Sequence, residues 1–220
     1  MNPALATEAG SAFGRMLSGA VITLPMVAAA MALTLLIGVA LGALAGSGSL
    51  FAEAVVARLA ELSSALPPLL IVGLLHAGRL LPAAVGVAVV LGVARGIELA
   101  RLVRGEMSRV GAEDFVSAAR ALGLSRLRLL QSHVLPHAFA PVLTSASLTA
   151  AATVALDAAL GLFGLGSTAS WGGQIAAGVT RGALPDIVWP SLAALLTTGA
   201  FFALAEALSE AACARRRGAP

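Results

Sequence analysis

Long apolar runs, separated by short polar or charged stretches, dominate the chain. No charged residue occurs between Arg15 and Glu53, and the stretch 21–45 in that interval can supply the ~20 apolar residues that a membrane-spanning helix needs. Four later runs are predominantly apolar but contain a few charged residues: 52–76, 81–103, 138–163 and 187–208. The pattern predicts an all-α integral membrane protein with about five transmembrane helices.

Proline and glycine mark the breaks in this pattern. Pro67 and Pro68 lie inside the second run and must kink or restart its helix, since neither can donate a backbone hydrogen bond. We expect a turn at 46–49, and a glycine-rich stretch at 163–186 separates the fourth run from the fifth.

Three glycines in the first run are spaced four residues apart: Gly38, Gly42 and Gly46. This spacing places them on one helix face, where another helix backbone can approach closely. The alternative is that glycine is merely abundant, with 24 in the chain. The three residues are therefore candidates for helix packing.

The segment at about 104–136 is too rich in arginine to span a bilayer, because each arginine at mid-bilayer costs ~3 kcal/mol. Asp114 can begin a short helix, Gly123 can end it, and Ser125 can cap a second helix that Pro136 ends. The segment is predicted to form a cytoplasmic helix-turn-helix unit suited to docking into another protein. A simple amphipathic surface loop is the alternative.

Arginine supplies all of the positive charge. There is no lysine among the fourteen basic residues, so the chain has neither a Schiff-base lysine nor a P-loop. Nine arginines lie in 101–128 and 215–217, and such clusters mark the cytoplasmic side of a membrane protein; we expect no nucleic acid as partner. The resulting division is an extracytoplasmic N-terminal segment at 1–15, a single transmembrane domain at 16–213 and a cytoplasmic basic tail at 214–220.

Few residues are candidates for chemistry. Asp157 is the one acid deep in the fourth run, where ionisable groups face a bundle interior or an aqueous path. It is a candidate for the substrate pathway or its gate, and a structural hydrogen bond to a neighbouring helix is the alternative. His133 and His137 have the spacing of a metal pair, but Pro136 breaks the helix that would align them, so we expect no metal site.

Part of the 104–136 segment resembles the "EAA" signature of ATP-binding-cassette (ABC) importer permeases. The signature is an Ala-Ala pair, a glycine four residues later and a downstream Leu-Pro, here Ala118, Ala119, Gly123, Leu135 and Pro136. In that superfamily the loop forms the coupling helix that docks into a cytoplasmic ATPase. The resemblance assigns this docking to Ser117, Ala118, Ala119, Arg120, Gly123, Leu124, Ser125 and Arg126.

Further stretches resemble the dipeptide, oligopeptide and nickel permease group, especially its second permease subunit. They are RLVRGEMS at 101–108, ARALG at 119–123, HVLPH at 133–137, LDAALGLFGLG at 156–166 and SWGG at 170–173. Ser117 stands where the signature usually has glutamate. Permeases of this group generally have six spans, whereas five are expected here.

The resemblance implies a type I-like importer permease that forms the pathway for peptides or for nickel or other metal chelates. Its partners would be a homologous permease subunit, two cytoplasmic ABC ATPases, an extracytoplasmic binding protein and membrane lipid. The chain itself would be non-catalytic and without a cofactor, since ATP and Mg would bind in the ATPase subunits. The alternative is a self-contained secondary transporter or channel, for which internal repeats and midplane charges are expected.

Overall fold

Seven helices make up the part of the chain that the computed structural model describes, residues 3–46, 49–111 and 135–217. In chain order they are α1 (Pro3–Ala45), α2 (Leu50–Ala65), α3 (Pro68–Ala77), α4 (Ala83–Gly111), α5 (Leu135–Leu162), α6 (Trp171–Arg181) and α7 (Leu184–Arg217). No strand occurs in these ranges. The predicted all-α class is confirmed.

Four stretches are long and apolar enough to cross a membrane: Ala12–Ala45 of α1, Ala83–Arg109 of α4, Phe139–Leu162 of α5 and Leu184–Ala211 of α7. α2 and α3 pass the same test only as a pair, which is bent by 77°. The bend falls at the two prolines, as predicted. Pro67 precedes α3, and Pro68 occupies its first position, where a helix needs no N–H donor.

The direction of α4 shows that the bent pair crosses the membrane. Leu33 of α1 lies against Gly92 of α4, and further along both helices Gly46 lies against Met107. Residue numbers rise together, so α1 and α4 are parallel neighbours. The segment between them must therefore return the chain to the side on which α1 began, and α2–α3 forms one broken span.

α5 and α7 continue the alternation. Val142, near the start of α5, packs in one cluster with Leu99 of α4, whereas Leu160, near its end, packs with Val87. α5 is therefore antiparallel to α4. α7 returns beside α5, and the prediction of about five spans is confirmed.

The two ends of this bundle carry different elements. The first turn of α7 meets the beginning of α1 through an ion pair between Arg15 and Asp186. The beginnings of α1 and α7 and the whole of α6 thus form one end, called the α6 end. The end of α4, the start of α5 and the end of α7 form the other, called the α4–α5 end. Which of them faces the cytoplasm stays a prediction.

Two elements differ from the sequence prediction. The third run extends to Gly111 as the 29-residue helix α4, about 43 Å long at 1.5 Å per residue and longer than the ~30 Å hydrocarbon core. The glycine-rich stretch 163–186 contains the helix α6, whose N-cap is Ser170 and whose left-handed C-cap is Gly182. No element was predicted for this stretch, and the two caps and the tertiary contacts stabilise the helix.

α1 and α4 pack through glycines on both helices. Two glycines of α1, and Gly46 directly after it, receive side chains of α4 in the pairs Gly38–Leu99, Gly42–Val103 and Gly46–Met107. Two glycines of α4 receive side chains of α1, in the pairs Gly92–Leu33 and Gly96–Ile37. A Cβ atom at Gly42 would lie 2.6 Å from the Val103 Cβ and 2.8 Å from the Ala100 carbonyl oxygen. The helices interlock so closely that these positions leave no room for a side chain.

Replacing Gly42 by leucine should separate α1 from α4, because overpacking a tight contact costs about 1–3 kcal/mol. We expect Gly42→Leu to lower the thermal unfolding midpoint of the detergent-solubilised protein and its yield of folded material. Gly14→Leu is the matched control on the same helix, since a Cβ at Gly14 meets nothing within 4 Å. Equal unfolding midpoints for the two variants would show that the close contact does not stabilise the bundle.

Candidate functional site

A buried carboxylate holds the beginning of α6. Asp157 of α5 is only 2% exposed. Its Oδ1 accepts a hydrogen bond from Ser170 Oγ at 2.8 Å, and its Oδ2 accepts one from the Gly172 N–H at 3.1 Å. The first N–H groups of a helix have no partner within the helix, and the N-terminal dipole favours a negative charge. Asp157 therefore links the beginning of α6 to the end of α5 through hydrogen bonds.

These hydrogen bonds agree with the structural alternative for Asp157, a bond to a neighbouring helix. Both oxygens of its carboxylate are engaged within the chain. A role in the substrate pathway or its gate stays a prediction.

Glycines let the backbones of α5 and α6 touch. A Cβ at Gly172 would lie 3.0 Å from the Ala158 Cα, and one at Gly173 would lie 2.7 Å from the Thr168 Cα. A larger residue at Gly172 would push α6 away from Asp157, and one at Gly173 would push it away from the connection between α5 and α6. The stretches 156–166 and 170–173 thus form one packing unit at the α6 end.

α6 is also fastened to α1. Trp171 Nε1 donates a hydrogen bond to the Met16 carbonyl oxygen at 2.9 Å, and its backbone N–H donates to Thr23 Oγ1 at 3.2 Å. One turn further on, Gln174 Nε2 donates to the Arg15 carbonyl oxygen at 2.7 Å. The short helix is therefore bound to two spans by directional contacts.

An ion cluster ties the same end to α7. Asp186, in the first turn of α7, is 7% exposed and pairs with both Arg15 and Arg181. The Arg181 Nη2 lies 3.3 Å from the Asp186 Oδ2. With the bonds to Asp157 and Trp171, this cluster joins α1, α5, α6 and α7 into one connected cap at the α6 end.

The half of the bundle nearer the α4–α5 end is more open. On α4, Arg95 Nη1 lies 2.8 Å from Glu98 Oε2, and the two side chains are 41% and 43% exposed. Arg101, one turn further along, is exposed and has no ion pair among the side chains that the structure describes. Glu53 of α2 pairs with Arg104 of α4. Charge is thus concentrated on one exposed face of a membrane helix.

A cavity of about 320 Å³ lies beside this charged face, between α2, α3 and α4. It exists because the 77° bend directs α3 away from the axis of α2. Its walls are apolar apart from Ser63 and include Leu62, Ile71, Val93 and Ile97. The cavity opens on the surface of the single chain.

The predicted docking residues lie outside the described residues: Ser117, Ala118, Ala119, Arg120, Gly123, Leu124, Ser125 and Arg126. His133 does too, so the histidine pair is not tested. Pro136 is the second residue of α5, a position that tolerates proline. Within 3–46, 49–111 and 135–217, no three His, Cys, Asp or Glu side chains are grouped to hold a metal.

Sequence reasoning missed several residues whose signals were visible. Gly92 and Gly96 repeat the four-residue spacing found in α1, but a repeat of only two glycines was not singled out. Ser170 and Gly182 bracket α6 as an N-cap and a C-cap normally bracket a helix. No sequence pattern indicated the ion pair between Arg15 and Asp186, because the two residues are 171 positions apart and meet only in the folded bundle.

Removing the carboxylate of Asp157 should loosen α6. In Asp157→Ala the Gly172 N–H loses its acceptor, while the Ser170 hydroxyl keeps only the Ser167 carbonyl oxygen; an unsatisfied buried donor costs about 1–3 kcal/mol. We expect a lower thermal unfolding midpoint and faster amide hydrogen exchange in α6. Glu206→Ala, at an exposed position of α7, is the control. If Asp157 serves only a pathway or gate, both measurements should equal those of the unaltered protein.

Comparison with known proteins identifies the family. The sequence matches the family described as "Binding-protein-dependent transport system inner membrane component" over residues 38–217. It is 34% identical over 164 residues to the oligopeptide transport system permease protein OppC of Bacillus subtilis (strain 168), covering 73% of this chain and 53% of that protein. It is 30% identical over 196 residues to the probable D,D-dipeptide transport system permease protein DdpC of Escherichia coli (strain K12), covering 86% and 65%. The chain thus spans less than two thirds of the length of these relatives.

A solved structure supports the fold. The protein described as "Crystal structure of an amino acid ABC transporter with histidines" aligns over 93% of this chain and 94% of its own with a TM-score of 0.61, at 18% identity. At that identity the likeness concerns the fold alone. Because the family match covers most of the sequence, the resemblance found in the sequence is confirmed, and the chain belongs to the family of binding-protein-dependent transport system inner membrane components.

Proposed function

We propose that this chain is a permease subunit of an ABC importer and forms part of the pathway by which peptides cross the membrane. The observation that carries the proposal is the family match over residues 38–217. The similar proteins OppC and DdpC are both named as permease proteins of peptide transport systems. The five alternating spans supply the membrane architecture that such a subunit needs. This chain performs no covalent chemistry in the proposed cycle.

The proposed assembly contains a second, homologous permease, two cytoplasmic ATPases and an extracytoplasmic binding protein. ATP and Mg bind in the ATPases, whose hydrolysis drives the permeases between outward-open and inward-open states. The binding protein delivers the peptide to the α6 end. In support, the connected cap at that end offers a rigid surface to which an external protein can bind.

The ATPases dock on the segment between α4 and α5, which carries the EAA-like signature. In support, α4 is longer than the hydrocarbon core is thick, so its end can reach an aqueous partner. The end of α7 lies at the same end of the bundle as the end of α4. Its basic residues Arg215, Arg216 and Arg217 suit the cytoplasmic side.

Ala119→Trp and Gly123→Val test the docking. A bulky side chain at 119 should clash with the ATPase, whereas valine at 123 should strain a turn that needs positive φ. We expect the purified complex to retain roughly tenfold less ATPase, a loss of about 1.4 kcal/mol in binding, together with less peptide uptake into vesicles. Both changes lie outside the predicted spans, so the partner permease should still copurify.

Ala203→Trp is the matched control, because Ala203 lies on the exposed surface of α7. It should retain the ATPase at the level of the unaltered complex. Full ATPase recovery and uptake in both loop variants would refute the docking and favour a self-contained secondary transporter.

Membrane orientation can be measured by labelling single cysteines in a Cys213→Ser background. Thr168, between α5 and α6, and Leu50, at the start of α2, are both exposed and lie at opposite ends of the bundle. An impermeant maleimide added to intact cells should label Thr168→Cys and leave Leu50→Cys unlabelled until the membrane is opened. The reverse pattern would place the α6 end in the cytoplasm and contradict the proposed assembly.

A further inference from the structure

Some of the charged side chains of α4 must lie at the depth of the membrane. The uncharged stretch between Arg79 and Arg95 contains only residues 80–94, fewer than the ~20 residues that cross the hydrocarbon core. The zone of α4 inside the membrane therefore extends past Arg95 and Glu98 and ends near Arg101. All three side chains are exposed on the single chain to a large extent.

Such a face is unsuited to lipid. Ionisable groups within membrane spans face a bundle interior or a water-filled space, because exposure to hydrocarbon costs several kcal/mol. The pair Arg95–Glu98 points away from the interior of this chain, as its exposure of more than 40% shows. The space that it faces is therefore aqueous or belongs to a neighbouring subunit.

The apolar cavity adjoins this face. Two of its lining residues, Ala94 and Ile97, lie one helical turn before Glu98 and Arg101 respectively, so these four residues share neighbouring rows on the α4 surface. The volume of about 320 Å³ is at the lower end of the range of ~300–1,000 Å³ for small-molecule sites. Apolar walls with a few charged groups at the rim are the usual composition of such sites.

We propose that this cavity, together with Glu98 and Arg101, is a contact site for a short zwitterionic peptide on its way through the membrane. This pocket on α2, α3 and α4 takes an apolar side chain of the peptide. Arg101 binds the terminal carboxylate, and Glu98 faces the terminal ammonium. The inference rests on the proposed function and adds to it a contact site for the peptide on this chain.

The charges favour a zwitterion over a metal ion. Nickel or another divalent cation would need several carboxylate, imidazole or thiolate ligands, whereas the rim supplies one carboxylate, already paired with Arg95, and a second arginine that repels a cation. Arg101 has no ion pair among the described side chains, and its guanidinium suits a carboxylate. An apolar side chain would also find ten apolar neighbours in the cavity wall.

Protection of a single cysteine tests the site directly. In the Cys213→Ser background, Val93→Cys lies in the cavity wall, and Val85→Cys, on the same helix and similarly exposed, is not among its lining residues. The complete transporter, reconstituted in lipid without ATP, is treated with N-ethylmaleimide in the presence of Leu-Leu, Leu-Leu amide or nickel chloride. When the concentration of Leu-Leu is about ten times its Kd, roughly a tenth of the sites stay empty.

We therefore expect Leu-Leu to slow the labelling of Val93→Cys about tenfold and to leave Val85→Cys unchanged. Arg101→Gln should abolish this protection. Arg58→Gln is the control for loss of an exposed arginine, since Arg58 lies on α2 and is not among the described lining residues; it should keep the protection. Leu-Leu amide, which lacks the carboxylate, should protect less.

The possible failures are distinguishable. ATP-driven uptake of Leu-Leu without protection of Val93→Cys would overturn the pocket and leave the proposed function standing. Equal protection by nickel chloride, or unchanged protection in Arg101→Gln, would likewise overturn the assignment of a zwitterion. Absence of any ATP-driven peptide uptake by the complete transporter would overturn the proposed function itself.

Discussion

The close contact between α1 and α4 is the constraint on which the rest of the bundle depends. Inside a bilayer, lipid tails are as apolar as leucine, so helices associate through close packing rather than through the hydrophobic effect. Glycines on both helices allow the two backbones to approach closely. Val103 packs against Gly42, and Leu33 packs against Gly92. Because these contacts make the helices parallel, the chain between them must cross the membrane, and this requirement turns the bent pair α2–α3 into a span.

The bend in that span in turn creates the open half of the molecule. Two successive prolines end α2 and restart the chain as α3 at an angle of 77°. α3 then packs against the first part of α4, where Val72 lies in the same cluster as Val87, and leaves the face around Glu98 uncovered. A local backbone rule, the missing N–H of proline, thus determines where the surface of the chain is concave.

Sequence patterns were sufficient for the spans, the break at Pro67 and the family, because run length and proline act locally. They were insufficient for α6, since a glycine-rich stretch becomes helical here only through its caps and its bonds to Asp157 and α1. The sequence also left two roles open for Asp157, because a buried acid is compatible with a pathway or with a cap until its partners are located. The packing role of Gly92 could not be predicted, because a single sequence does not show which helix packs against α1.

The two halves of the bundle differ in a way that fits alternating access under the proposed function. At the α6 end, Asp157, Trp171 and Asp186 connect four helices through hydrogen bonds and ion pairs, so opening that end must break several directional contacts together. Toward the α4–α5 end, the exposed Arg95–Glu98 pair and the neighbouring cavity have no cover within the described chain. Under the proposed function, a bundle that is held together at one end and uncovered toward the other fits one of the two states between which an importer alternates. Because lipid cannot cover the charged face at low cost, the open half requires water or another protein surface in front of it, and under the proposed function this is where the second permease lies.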